Sequence, residues 1–283
     1  MQVLSKNLGL SIICAFLLFI NFFSRCEMFD ISRKTACVTG ASSGIGAAVA
    51  EALAEAGCSL VISARREDKI KDFSQYLSDK YEIKCFGGVL DVRNQKDVEK
   101  FFAELPEEFR NIEILVNNAG LAKDMTPLYE NKISDWEQMI DTNVKGLLYV
   151  TKAVLPGMVG RDKGHIVNIG STAGRGTYPG GTVYCATKHA VNAITNGLRK
   201  DLLKTSLRVT TIDPGAVETE FSMVRFEGDQ ARSDKVYEGY EPLHAEDIAD
   251  AVLYAVTRPP HVNVSDIVIY PTAQRDYHLL NRK

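Results

Sequence analysis

The octapeptide Thr39-Gly40-Ala41-Ser42-Ser43-Gly44-Ile45-Gly46 settles what kind of chain this is. A short apolar strand pattern, residues 35–39, runs into it, and a helical pattern, residues 45–56, leaves it. Glycines at a strand-to-helix turn let the backbone approach a pyrophosphate, and the helix N-terminus offers unpaired N–H groups at the positive end of its dipole. A dinucleotide site made by Gly40, Ser42, Ser43, Gly44, Ile45 and Gly46 is therefore expected. Its T-G-x-x-x-G-x-G spacing differs from the G-x-G-x-x-G fingerprint.

Strand-like and helix-like segments alternate on both sides of this turn, as a series of βαβ units with a parallel sheet requires. Strands are predicted at residues 59–64, 83–90, 112–116, 165–169, 208–212 and 267–270, and helices at 67–77, 95–105, 183–203 and 245–256. Residues 135–158 carry a helical pattern with a turn near Asn143 as a point of interruption, and a long loop is predicted before residue 245. No repeat or low-complexity linker marks a boundary after Met28, so residues 28–283 are expected to form one α/β domain.

The end of the second strand carries the coenzyme preference, because an acidic residue there holds the ribose 2′-hydroxyl. Here Ala64 is followed by Arg65 and Arg66. A guanidinium pairs with a 2′-phosphate, and no carboxylate is there to repel it, which predicts NADP(H).

The 283 residues are 45% hydrophobic and 24% charged, with a formal net charge of −3, so no electrostatic pull toward nucleic acid is expected. Six cysteines in a chain this long are too sparse for a disulfide framework. Cys37, Cys58 and Cys85 lie in or beside apolar strand patterns and read as small buried hydrophobes; Cys185, beside Tyr184, is open to oxidation only if its thiol is exposed and ionised. No metal-ligand set is expected.

Residues 1–27 hold an apolar run, residues 8–23, too short for a comfortable membrane span and closer to a signal or a short anchor. Three outcomes are open. The segment is cleaved before Glu27; or it is retained, with Arg25, Arg33 and Lys34 holding the body on the cytosolic side; or synthesis begins at Met28. The first two imply an endomembrane or membrane-associated protein, the third a cytoplasmic one. The sequon Asn263-Val264-Ser265 matters only in a secretory compartment.

Tyr184 and Lys188 stand four residues apart in a helix, hence on one face, where an ammonium favours the ionised phenol. With the glycine turn, Asn117-Asn118-Ala119-Gly120, Asn143 and Ser171, this pair resembles the short-chain dehydrogenase/reductase family from about Lys34 to the C-terminus. The resemblance implies a Rossmann-type, doubly wound parallel sheet of about seven strands flanked by helices, assembled as a homodimer or homotetramer. By position it implies that Asp91 and Val92 lie by the adenine and that Asn118 and Gly120 line the coenzyme groove. Pro214, Gly215, Val217 and Thr219 would cover the nicotinamide. It also implies that Asn143 supports a water-filled proton path to Lys188.

A free phenol is too weak a base for neutral pH, and Lys188 together with an oxidised nicotinamide supplies the positive charge that lowers its pKa. Ser171 would hydrogen-bond the substrate oxygen, Tyr184 would exchange a proton with it, and NADP(H) would carry the hydride. Finer likeness in residues 169–174, 214–221 and 224–228 resembles the branch that oxidises 3-hydroxy acids such as serine, L-allo-threonine and 3-hydroxyisobutyrate with NADP+. Arg225 is then the candidate clamp for a substrate carboxylate and Arg175 a second one. Two other functions compete with this small-molecule dehydrogenase: a membrane-associated NADPH-dependent reductase of lipid, steroid or retinoid ketones, and an NADPH-binding protein that acts by contact.

Overall fold

The computed structural model describes residues 29–277 and 279–283. The N-terminal apolar run, the candidate cleavage point before Glu27 and Met28 lie outside the described residues. Residues Ile31–Lys283 make one compact unit. Among the described residues no helix is long and apolar enough to cross a membrane.

Seven parallel strands form a single sheet in the order β3-β2-β1-β4-β5-β6-β7. They are β1 (Thr35–Thr39), β2 (Ser59–Ala64), β3 (Cys85–Val89), β4 (Ile112–Asn117), β5 (His165–Ile169), β6 (Arg208–Pro214) and β7 (Asp266–Ile269). Every residue of β1, β5 and β6 is buried, as a parallel sheet covered on both faces demands. The helices are α1 (Gly44–Glu55), α2 (Glu67–Tyr81), α3 (Gln95–Ala103), α4 (Ile133–Ile140), α5 (Leu147–Arg161), α6 (Thr182–Asp201), α7 (Glu220–Arg225), α8 (Gln230–Tyr237) and α9 (Ala245–Val256). One core joins Cys37, Val61, Leu115, Ile166 and Val209 of the sheet to side chains of α3 and α5. α1 packs against α9.

Strand order reverses between β1 and β4, so the connections leaving their C-terminal ends diverge and open a crevice there. The glycine turn leaves β1 at that point, and Asn118 follows β4. At the opposite rim His165 and Arg208 begin β5 and β6 side by side in register. Arg208 donates to the carbonyls of Val256 (3.0 Å) and Arg258 (3.0 Å), closing the C-terminal end of α9.

Two predicted features take another form. The chain near Asn143 does not turn: α4 runs through a π-helical segment, Asp141–Gly146, directly into α5. A π segment fits extra residues into a continuous helix and changes which side chains face the site. The predicted long loop contains α7 and α8. Thr219 starts the first, its Oγ1 accepting from Phe221 N (3.2 Å), and Asp229 starts the second, accepting from Arg232 N (3.0 Å).

Candidate active site

The C-terminal ends of the strands border a cleft of about 810 Å³. Gly40 and Gly44 adopt φ of +68° and +56°, open to glycine at little strain. Thr39 Oγ1 accepts from the N–H groups of Asn118 (3.2 Å) and Ala119 (3.1 Å), while Asn118 Nδ2 donates to the carbonyls of Thr39 (2.9 Å) and Gly40 (3.1 Å). These bonds tie the turn to the end of β4. They leave no room for a side chain on Gly46, where a Cβ would lie 2.3 Å from Asn118 Nδ2 and 2.4 Å from Gly40 O. Ser43, extended, caps α1 without a side-chain bond to its first N–H groups. A backbone this bare at a helix start fits a pyrophosphate.

Arg65 and Arg66 lie exposed at the cleft's edge. Arg66 folds back on the turn, donating to Ser42 Oγ (3.0 Å) and Ser43 Oγ (2.7 Å), and pairs with Glu220 at 2.8 Å. Asp91 and Val92 line the same cleft, but the Asp91 carboxylate accepts from Arg93 Nε (2.9 Å), which holds it below the usual carboxylate range. Gly120 and the Pro214, Gly215, Val217 and Thr219 segment also face the cleft. Bare backbone at one end, cations at its edge and polar groups at the other end together fit NADP(H).

The first turn of α6 buries Tyr184 against Phe221, ring centroids 5.9 Å apart. Lys188 lies one turn on, its Nζ 5.9 Å from the Tyr184 ring centroid and donating to Ile169 O (2.9 Å). Helical spacing does put the pair on one face, but the ammonium is anchored on the last carbonyl of β5. Burial lowers the Lys188 pKa to about 8, with Asp213 opposing. Burial also raises the Tyr184 phenol, helped by Tyr178, while Arg225 and Ser171 oppose the rise. Burial thus holds the phenol protonated. Arg225 and Ser171, rather than Lys188 as expected from sequence, are the protein groups that moderate this.

Ser171 follows β5 and receives the Ala173 N–H on its Oγ (3.1 Å), and its own N–H donates to Asp213 Oδ1 (3.1 Å). Asn143 sits buried in the π segment, its Oδ1 accepting from Leu121 N (2.9 Å) and its Nδ2 donating to Leu121 O (2.8 Å) and Thr187 Oγ1 (3.0 Å). It therefore fixes the backbone beside Gly120, where a Cβ would come within 3.3 Å of Asn143 Oδ1 and 3.8 Å of Lys188 Nζ.

Arg225 ends α7 with its guanidinium carbon 5.2 Å from the centre of the Tyr184 ring and 5.4 Å from that of Phe221. It donates to Tyr178 Oη (3.1 Å), and its buried Nε has no partner. Arg175 does not belong here. Its Nε pairs with the fully buried Asp213 (2.7 Å) and its Nη2 with Asp266 (3.3 Å), so a carboxylate of the chain already takes the place of a substrate.

Asp213 and Glu220 were not singled out from sequence. Asp213 is the one acidic residue of the fully buried strand Arg208-Val209-Thr210-Thr211-Ile212-Asp213-Pro214, and a buried carboxylate needs a partner; Glu220 follows the capping Thr219 and so stands at a helix start. Tyr277 and Arg282, from the C-terminal tail, also line the cleft and carry no sequence signal that links them to it.

The short chain dehydrogenase family model matches residues 34–230. Sulfoacetaldehyde reductase 2 of Chromohalobacter salexigens is 47% identical over 238 residues, 84% of this chain and 94% of that protein. The NADP-dependent 3-hydroxy acid dehydrogenase of Schizosaccharomyces pombe is 42% identical over 257 residues, 90% of this chain and 99% of the other. The closed form of a serine dehydrogenase complexed with NADP+ superposes with a TM-score of 0.82 at 44% identity, covering 88% of this chain and 99% of that one.

Proposed function

The chain belongs to the short-chain dehydrogenase family, and from that membership we propose that it moves hydride between NADP(H) and a small 3-hydroxy acid, or the matching carbonyl compound. NADP-dependent oxidoreduction at a CH–OH group is the activity its relatives carry. Serine, L-allo-threonine and 3-hydroxyisobutyrate are the substrate class. One observation carries the acid: the Arg225 guanidinium lies over Tyr184 with its Nε buried and unpartnered, and no carboxylate among the described residues pairs with it. Such a group is stable beside a ligand anion. Carboxylate and sulfonate are the anions of the substrates that the relatives' names imply.

Bound NADP(H) would supply or accept the hydride. In the reductive direction Ser171 Oγ and Tyr184 Oη would hold the substrate carbonyl oxygen, and the protonated Tyr184 phenol would give that oxygen its proton; oxidation would need the phenol ionised first, which the positive charge of bound NADP+ favours. Burial brings the Lys188 pKa down to about 8, so this ammonium gives up a proton far more readily than a free lysine does. Asn143 keeps the Leu121 backbone in place next to it. Arg225 orients the acid. Exposed Ile133, Ile140, Leu148 and Val159 around α4 and α5 support a homodimer or homotetramer, checked by light scattering.

Steady-state kinetics of Arg225→Met test the substrate. KM for 3-hydroxyisobutyrate is expected to rise on the order of a hundredfold, the worth of a charge-assisted bond pair, with little change for an uncharged alcohol. An unchanged KM, or turnover of apolar ketones alone, would overturn the acid assignment.

A further inference from the structure

Glu220, the first residue of α7, lines the coenzyme cleft and places its carboxylate on the cation that the 2′-phosphate needs. Its Oε2 accepts from Arg66 Nη1 (2.8 Å) and its Oε1 from Lys69 Nζ (3.4 Å). The remaining nitrogens of Arg66 are taken up by the glycine turn: Nε donates to Ser42 Oγ (3.2 Å), and Nη2 to Ser42 Oγ (3.0 Å) and Ser43 Oγ (2.7 Å). Arg66 therefore meets an anion at one edge only, and that anion belongs to the chain. Arg65, next to it at the cleft's edge, makes no ion pair among the described residues, though its charge reaches the Asp91 carboxylate.

We propose that Glu220 is a specificity-determining residue that competes with the coenzyme 2′-phosphate for Arg66, holding the guanidinium on the glycine turn and weakening the hold on NADP(H). The proposal rests on the assignment of Arg66 to the 2′-phosphate. A phosphate monoester carries close to two negative charges at neutral pH. Brought to the same guanidinium, it meets a fixed carboxylate of like sign, and the repulsion falls on NADP(H) alone because NAD(H) has a hydroxyl there. Glu220→Gln keeps the size and an acceptor for Arg66 while removing that charge.

Titration of NADP+ and NAD+ into the protein, followed by calorimetry without substrate, tests this. Glu220→Gln is expected to tighten NADP+ about fivefold, as for a like-charge repulsion at a solvated site, and to leave NAD+ unchanged. In an Arg66→Gln background the same change should have a smaller effect on NADP+, because only the direct repulsion between the carboxylate and the phosphate remains. Weaker NADP+ binding in Glu220→Gln, equal shifts for both coenzymes, or an undiminished effect without Arg66 would overturn the proposal. If Arg66→Gln itself leaves NADP+ affinity intact, the assignment of Arg66 to the 2′-phosphate is what fails. Circular dichroism of each variant verifies the fold.

Discussion

Acidification should unfold this protein partly through one imidazole. His165 begins β5, the strand that delivers Ser171, and is buried with its Nε2 2.7 Å from Thr210 Oγ1. Thr210 spends its single hydroxyl proton on Val264 O (2.6 Å), so His165 must be the donor in that contact. Its Nδ1 is then the bare nitrogen, buried without a partner. A proton added there would face desolvation first, then the charges of Arg208 and Lys34, and the pKa falls well below 6.5. The sign follows from this direction. A depressed folded-state pKa contributes stability that is complete above the unfolded value of 6.5 and is lost as pH falls, because the unfolded chain takes the proton and the folded one does not. Down to about pH 5, that single proton removes roughly 2 kcal/mol. Urea unfolding of wild type and His165→Gln at about pH 8 and about pH 5, followed by Trp136 fluorescence, isolates it, since carboxylates titrate equally in both. The glutamine amide still donates to Thr210 but cannot be protonated. Wild type should lose about 2 kcal/mol more than the variant on acidification. Equal losses would refute the assignment of His165 as the neutral, Nε2-protonated group.

Two further expectations concern the site. Lys188→Met should be inactive yet more stable by about 2 kcal/mol near neutral pH, because burial that pulls a lysine from 10.5 to about 8 destabilises the folded state by about 3 kcal/mol, less the lost bond to Ile169. That advantage should appear as pH falls from 10.5 to about 8 and stay constant below, as denaturation at several pH values would show. Arg175→Met strands the Asp213 carboxylate; with the arginine side chain 38% exposed, about 2 kcal/mol of stability should be lost, and KM for the hydroxy acid should hold while kcat falls through Ser171. A large rise in KM alone would return Arg175 to substrate binding.

The strands were legible because β1, β2, β4, β5 and β6 are runs of apolar and β-branched residues too short for helices, separated by helical periods. The glycine turn was legible for a different reason: only a few residue types tolerate its backbone and the close approach at Gly46. Tyr184, Lys188, Ser171 and Asn143 were read from the sequence as a set; the structure puts the first three on the cleft and bonds Asn143 to the Leu121 backbone behind it. Their partners were not legible. Lys188 bonding Ile169, Asp213 between Ser171 and Arg175, and Glu220 on Arg66 are contacts across many residues, decided by strand register and by the path of α7. For the same reason Arg175 could be ranked only as a weaker second candidate behind Arg225, not excluded. Only the folded chain shows that one already holds a carboxylate and the other does not. The π segment escaped because its one-turn deviation leaves the apolar period of the helix almost intact.

Because all seven strands run one way, their first residues share one rim and their last residues the other. His165 and Arg208 hold the first rim; Ser171 and the Pro214 segment follow the second. At about 3.3 Å per strand residue, His165 and Ser171 lie roughly 20 Å apart, a separation at which substitutions with no shared partner act additively. Selection for a new substrate can therefore alter one rim while the other keeps its contribution to stability. A chain first stabilised at the His165 rim should tolerate a wider range of changes around Arg225, so the direction of its strands bears on how readily its specificity evolves.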